Sequence, residues 1–197
     1  MKISPRVSHA RPALKQQTGF TLVELLVVAA IIAILTIAAL PQIQAYIVSG
    51  KVGPANNEMQ RGLTRMKINA EGNGTTPYSG VTTAVFANTM RDGSVFTVAG
   101  VAGAATIKHG LTASGAGVVA VAPAKIVATG DAFSITMNGV NRGACPDIAA
   151  TMQKSAAQID INGTTVKPIG GKFDGAAATN ACIDTNTDTN VFVFTVQ

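Results

Sequence analysis

A single carboxylate stands near the start of a long apolar run. Between residues 16 and 50 the only formal charge is Glu24, and residues 25–40 are apolar apart from one threonine. A charge inside a membrane helix costs about 2.5–3.5 kcal/mol on insertion scales, so such residues mark functional sites by default. Glu24 is therefore a candidate functional residue that needs a cationic partner.

The rest of the chain offers little for acid–base or nucleophilic catalysis. After the apolar run there is one histidine, His109, in a Gly-rich stretch without a cysteine or aspartate close in sequence. Catalysis needs several groups that converge on one point. The pattern favours a packed or exposed histidine, and we predict no catalytic residue and no enzymatic activity.

Three further patterns carry weak chemical signals. Residues 115–120 (GAGVVA) match the dinucleotide-binding pattern, but no clear acidic residue follows about 20 positions on, so a loop leading into a strand is favoured. Residues 184–190 (DTNTDTN) offer oxygens to Ca²⁺ without EF-hand spacing, so a solvated loop is the default and Ca²⁺ stays open. Residues 73–75 and 162–164 fit the glycosylation sequon. No cofactor is predicted.

The chain contains two cysteines, Cys145 and Cys182. No His-rich or CxxC spacing accompanies them, so the sequence predicts no metal site. If the chain leaves the cytoplasm, two such cysteines most simply form one disulfide.

The net charge of +5 belongs mostly to the first residues of the chain. Four of the 15 basic residues lie before Gly19, and the remaining ones nearly balance the 10 acidic residues. Nucleic-acid binding needs a basic face on the folded part, and the chain has no Trp to stack on bases. The composition therefore argues against sequence-specific nucleic-acid binding.

The apolar run is too long for the core of an ordinary signal peptide, which has about 7–15 residues. As a helix, residues 25–47 would extend roughly 34 Å, which is enough for a bilayer core. No clean small-residue cleavage site follows before Pro41. A plain membrane anchor and a leader cleaved ahead of a retained apolar segment both remain open.

The stretch from Gly19 to Glu24 (GFTLVE), behind a basic leader and ahead of an aliphatic run with Pro41, resembles the class III signal of type IV pilins. The resemblance implies that a prepilin peptidase cuts between Gly19 and Phe20. It also implies that the new amino group of Phe20 is N-methylated. Glu24 would then face the amine of a neighbouring subunit and set the assembly register.

The resemblance also implies a domain layout and a set of partners. Residues 1–19 would be the cleaved leader, 20–48 the transmembrane and filament-core helix, and 49–197 the globular head. The subunit would wait in the inner membrane with its head in the periplasm and then enter an extracellular helical homo-oligomer. Its partners would be sister subunits, prepilin peptidase and the inner-membrane assembly machinery, with a receptor on a host or another cell as a further candidate.

The apolar helix is expected to continue to about Ala70, where glycines end it. Pro41 should kink or loosen it because proline removes a helical hydrogen bond, and residues 50–54 contain a second weak point.

A stripe of apolar residues at helical spacing, Met59, Leu63 and Met66, predicts a face packed on the head. Glu58 and two arginines would lie elsewhere around this helix.

Short alternating runs between turn-forming residues predict strands in the rest of the chain. The predicted strands are 94–99, 132–137 and 191–196, with weaker ones at 118–128 and 164–169, and a helix is expected at 147–157. The fold class is therefore α+β, with a long N-terminal helix packed on a mainly antiparallel sheet.

The resulting hypothesis is a structural protein, the major subunit of a type IV pilus, whose filament serves adhesion, motility, aggregation or DNA uptake. Alternatives are a minor pilin or a pseudopilin of type II secretion and, from another class, a membrane-anchored secreted enzyme. The helix expected between the two cysteines resembles a feature of pilins of the IVb branch. The short leader and the Phe after the cut resemble the IVa branch, so the subclass stays open.

Overall fold

The computed structural model describes residues 19–115, 117–183 and 188–197, except for the side chain of Pro41. The chain divides into two compact units, and the boundary lies after Ala38.

Two successive helices begin the described chain. Helix α1 runs from Leu22 to Gly50 and helix α2 from Val52 to Ala70. Lys51 stands between them, and its N–H donates to the carbonyl of Val48 at 3.0 Å. Pro54 occupies the first turn of α2, where a missing N–H costs no helical hydrogen bond. The weak point expected near Gly50 is therefore a break between two helices.

The second unit contains an antiparallel sheet of seven strands within the described residues, in the order β1-β2-β3-β4-β7-β5-β6. Its elements, in chain order, are α3 (Thr83–Thr89), β1 (Phe96–Ala99), a 3₁₀ turn (Ala102–Ala104), β2 (Thr106–His109), β3 (Gly117–Lys125), β4 (Thr129–Val140), α4 (Cys145–Met152), β5 (Gln158–Ile161), β6 (Thr164–Lys167), α5 (Gly175–Ala181) and β7 (Asn190–Val196). The α+β class expected from the sequence is confirmed.

The central pair of strands supplies much of the core. In β4 and β7 the inward residues alternate along each strand, and Ile135 lies opposite Phe194 in the register. Phe133, Met137 and Phe192 are also fully buried. Because successive strand side chains point to opposite faces, this alternation covers one face of the sheet with apolar side chains.

Helix α2 packs its predicted stripe into this core. Met59, Leu63 and Met66 are all at most 3% exposed, as expected. The sequence placed Glu58 away from the packed face, and this was wrong, since Glu58 is only 5% exposed. The reason is a set of backbone donors that its carboxylate meets, described below.

Helix α4 differs in extent from the predicted helix 147–157. It begins at Cys145 and ends at Met152. Beyond it, the ammonium of Lys167 donates to the carbonyls of Gln153, at 2.6 Å, and Ala156. Both carbonyls lie beyond the last helical residue, and the ammonium satisfies them there without helical partners.

Candidate functional site

The residues ahead of α1 form a capped helix start. Gly19 and Phe20 lie outside regular structure, and the Phe20 residue is 86% exposed. The Glu24 N–H donates to the hydroxyl oxygen of Thr21 at 3.2 Å, and the Leu25 N–H donates to the Thr21 carbonyl at 3.2 Å.

Thr21 and Glu24 thus have the spacing of a capping box, Thr-x-x-Glu. Glu24 lies in the first helical turn, where the partial positive charge of the helix end favours a carboxylate. Sequence reasoning missed the capping role of Thr21, although the Thr-x-x-Glu spacing was a signal for it.

The apolar part of α1 is exposed on all sides within its own unit. The 19 residues Leu22–Leu40 are long and apolar enough to cross a membrane, and none of them is buried. The hydroxyl of Thr36 donates to the Ile32 carbonyl at 2.7 Å, so the one polar side chain between residues 25 and 40 is satisfied inside the helix. Backbone and side-chain polar groups must be satisfied internally in lipid. Helix α1 therefore suits a bilayer or a bundle of similar helices.

Glu24 differs from Thr36, because an ionised carboxylate needs a cationic partner in an apolar setting. The described part of the chain places no lysine or arginine within salt-bridge distance of it.

A disulfide joins Cys145 to Cys182, with 5.9 Å between the two Cα atoms. Cys145 is the first residue of α4 and is buried, whereas Cys182 directly follows α5. The predicted pair is therefore confirmed. It ties the end of α5, just before the segment that leads to β7, to the start of α4.

Two asparagines join the residues on either side of that segment independently of the disulfide. The side-chain oxygen of Asn190, which is fully buried, accepts from the Ile183 N–H at 2.7 Å and from the Asn162 amide at 2.9 Å. The Asn162 amide also donates to the Ala181 carbonyl at 2.8 Å, and its oxygen accepts from the Val191 N–H at 2.8 Å. Sequence reasoning missed this pair, because the partners are far apart in the chain.

Glu58 of α2 holds the start of β1. Its carboxylate accepts from the N–H groups of Ser94 at 2.7 Å, Val95 at 3.1 Å and Phe96 at 3.0 Å, and from the Ser94 hydroxyl at 2.7 Å. Burial acts to raise the pKa of Glu58, but the hydrogen bonds outweigh it, so the pKa lies below its ordinary value. This carboxylate fixes where α2 meets the sheet.

Comparison with known proteins places these features in a family. The model described as the prokaryotic N-terminal methylation motif matches residues 14–40. A crystal structure of a type IVb pilin from Salmonella typhi is similar to the chain at a TM-score of 0.52 and 25% identity, and the match covers 74% of this chain and 96% of that one. The model described as PilS N terminal matches residues 56–197. The chain belongs to the type IV pilins. A comparison with curated proteins found no match.

The family matches also bear on the subclass that the sequence left open. The PilS model matches residues 56–197, which lie in the head, and the similar structure is a type IVb pilin. This pilin is therefore IVb-like, with a class III signal at its N-terminus.

His109 is a core residue of this pilin. It lies at the end of β2 and is 2% exposed. Its Nε2 lies 2.9 Å from the Asn138 carbonyl, to which it donates, and its Nδ1 accepts from the Leu111 N–H at 3.3 Å. Burial lowers the pKa of His109, although the Asn138 bond and the charge of Asp188 oppose this. Both ring nitrogens are thus engaged in the neutral form, as a packed histidine requires.

Asp188 accepts hydrogen bonds from the loop that follows β2. Its oxygens accept from the N–H groups of Ala113 at 3.0 Å and Ser114 at 2.7 Å, from the Asn141 amide at 2.8 Å and from the Thr112 hydroxyl. Burial acts to raise the pKa of Asp188, but these donors hold it far below its usual range. Both oxygens are occupied by donors, so this carboxylate is poorly placed to bind Ca²⁺.

The structure also shows where the other weak sequence signals lie. Within the described residues, no cluster of three or more His, Cys, Asp or Glu could hold a metal, and residues 184–187 of the Asp/Thr/Asn-rich stretch lie outside them. The GxGxxA pattern leads into strand β3 at Gly117, whereas a dinucleotide site needs it to open a helix. The expected loop leading into a strand is what the described residues show.

Proposed function

We propose that this pilin is the major subunit of a type IV pilus and acts by polymerising through α1. The observation that supports this best is the combination of an exposed apolar helix, a single carboxylate in its first turn and a Gly19-Phe20 step directly before it. An exposed apolar surface of this size marks a membrane or protein partner. The function is structural and involves no catalysis.

The precursor is cut by prepilin peptidase between Gly19 and Phe20, and the freed amine of Phe20 is N-methylated. An α-amine has a reference pKa of about 7.7–8.0, so it is largely cationic at neutral pH. Inside a bundle of apolar helices, a lone charge is expensive, whereas a cation and an anion in contact compensate each other. The amine of one subunit and Glu24 of its neighbour form such a pair only when the helices stack in one register.

The proposed layout follows from this step. Residues 1–19 form the leader, 20–48 span the inner membrane and later the filament core, and 49–197 form the head. The head is periplasmic before assembly and extracellular afterwards, so adhesion, motility or uptake are properties of the filament and of any receptor it meets. Pro41 removes one helical hydrogen bond and gives the helix a point that can loosen during extraction from the membrane.

The experiment that tests the processing is the intact mass and N-terminal sequence of the protein recovered from surface filaments. A chain that begins at N-methylated Phe20 is expected. A chain that still carries Met1, or one that begins beyond Pro41, would refute the proposal.

Abundance separates the alternatives within the family. A major subunit should dominate the protein of sheared surface filaments, and deleting its gene should remove those filaments. A minor pilin would be a trace component, and a pseudopilin would be absent from the sheared fraction, so either result would overturn the major-subunit assignment.

A further inference from the structure

The chain contains the tetrapeptide Asn-Gly-Thr-Thr twice, at residues 73–76 and 162–165. In an Asn-Gly pair the backbone nitrogen of glycine can attack the side-chain amide carbon of asparagine, since glycine has no Cβ to hinder the approach. The two copies share their local sequence. A large difference in their reactivity in the folded protein would therefore come from the fold.

The copy at Asn162 is locked. Asn162 and Gly163 form the turn between β5 and β6, with φ values of 51° and 82°. Three hydrogen bonds hold the side chain, two from its amide nitrogen to Ala181 and Asn190 and one to its oxygen from Val191. The amide carbon cannot rotate towards the Gly163 nitrogen unless these bonds open.

The copy at Asn73 is open. It lies just beyond α2, and residues 71–75 are all exposed. Among the described residues, Asn73 makes one side-chain hydrogen bond, a long one from its amide nitrogen to the Asn69 carbonyl at 3.4 Å. Gly72 and Gly74 flank it with φ values of 85° and 76°, and a Cβ at Gly74 would meet no atom within 4 Å. Solvent therefore reaches this side-chain amide, and a weak hydrogen bond leaves it able to rotate.

We propose that Asn73 is a site of non-enzymatic deamidation in the folded pilin, whereas Asn162 is protected. The Gly74 nitrogen forms a bond to the side-chain carbon of Asn73, the bond from that carbon to the amide nitrogen breaks, and ammonia leaves with the proton from Gly74. Water then opens the cyclic imide at either carbonyl, which gives aspartate or isoaspartate. The net change is one water consumed and one ammonia released, with no oxidation or reduction.

The product changes a defined part of the head surface. A new carboxylate appears beside Glu71 and close to the C-terminal end of α2, where the helix dipole disfavours negative charge. The isoaspartate form also adds one methylene to the backbone. The change should stay local, because the Tyr78 N–H donates to the Gly130 carbonyl at 2.8 Å and Tyr78 is buried. This inference does not depend on the proposed function.

The test compares the two copies in one sample. The detergent-purified full-length chain is incubated in mildly alkaline buffer. Peptide mass spectrometry then measures the increase in mass that results when the side-chain amide of an asparagine becomes a carboxyl group. In the folded protein, deamidation at Asn73 should be at least roughly tenfold faster than at Asn162, because three hydrogen bonds must open at Asn162. In a reduced, urea-unfolded sample the two rates should agree within about threefold, since no native structure distinguishes them.

A matched variant checks the chemistry. In the urea-unfolded sample, where the left-handed φ of Gly74 no longer strains an alanine, Gly74→Ala should slow the reaction at Asn73 several-fold, because a methyl group shields the attacking nitrogen, and should leave Asn162 unchanged. Equal rates at the two copies in the folded protein would overturn the proposal, as would an unfolded Gly74→Ala variant that deamidates at Asn73 as fast as the unfolded original chain.

Discussion

Gly143 lies directly against the backbone of Ala45 in α1. A Cβ atom at position 143 would stand 2.3 Å from the Ala45 carbonyl oxygen and 2.8 Å from its carbonyl carbon. The neighbouring Arg142 donates to the side-chain oxygen of Gln42 at 3.3 Å. The loop that leads into α4 therefore holds the last turns of α1 through a contact that only glycine permits.

Replacing Gly143 with alanine should force this loop away from α1. Overpacking of this kind typically costs about 1–3 kcal/mol, and in a domain of this size each kcal/mol lowers Tm by roughly 2–4 °C. Thermal unfolding of the detergent-purified chain measures the effect. The control is Gly53→Ala in α2, where a Cβ meets no atom within 4 Å. That change should stabilise the helix by about 0.5–1 kcal/mol, and two variants with the same Tm would contradict the close-contact argument.

Glu58 should make the head less stable at acid pH than at neutral pH. Its pKa is lower in the folded chain than in the unfolded chain, so the folded state binds fewer protons. The stabilisation is therefore complete above the ordinary carboxyl pKa of about 4.3 and is lost as pH falls below it. Asp188, whose pKa is also lowered, acts in the same direction.

Glu58→Gln should cost about 1.5–3 kcal/mol at neutral pH, because a charged acceptor of buried N–H groups is lost. Its unfolding free energy should also vary less with pH than that of the original chain, as measured by denaturant titrations at neutral and acid pH. Glu71→Gln is the control, since Glu71 is exposed beyond α2, and it should change stability by no more than about 0.5 kcal/mol. Parallel pH curves for Glu58→Gln and the original chain would show that Glu58 does not act this way.

The sequence reveals the parts of this fold whose signals are local. The stripe of Met59, Leu63 and Met66 and the alternation in β4 and β7 follow from the geometry of single elements. Strands β2 and β5 have only four residues each, too few for a clear period. They form because β3 and β7 offer them partners.

Several important side chains could not be predicted, because their partners are distant in the chain. From the sequence alone Glu58 resembles a surface charge, because the three N–H groups that it accepts from belong to Ser94–Phe96, far along the chain. From the sequence alone Asn190 resembles a turn residue, because its hydrogen-bond partner Asn162 lies 28 positions away in the chain. At the N-terminus the signal is local, because the GFTLVE motif and the apolar run are each contiguous in the sequence.

The disulfide and the asparagine pair should make separable contributions. Replacing both Cys145 and Cys182 with alanine should lower the unfolding free energy by about 2–4 kcal/mol. Ile183 should nevertheless stay docked, because its N–H still bonds to the Asn190 side chain. Asn190→Ala should have the converse local effect, since it removes that acceptor and leaves the disulfide intact. Hydrogen exchange at the Ile183 amide measures this and should be slow in the cysteine variant and fast in Asn190→Ala. The reverse order would assign the docking to the disulfide.

Glu24 should be required for assembly rather than for membrane insertion. Glu24→Ala removes the only formal charge between residues 16 and 50, so the chain should remain in the inner membrane fraction. Filaments should be lost or sharply reduced, because the amine of the neighbouring subunit would then be buried without a partner. Electron microscopy and immunoblots of sheared and membrane fractions measure both outcomes. Glu24→Gln separates charge from size and should behave like Glu24→Ala, whereas Glu24→Asp keeps the charge and should retain part of the piliation. Normal filaments in Glu24→Gln would show that the carboxylate charge does not set the register and would leave Thr21 capping of α1 as the remaining role of this turn.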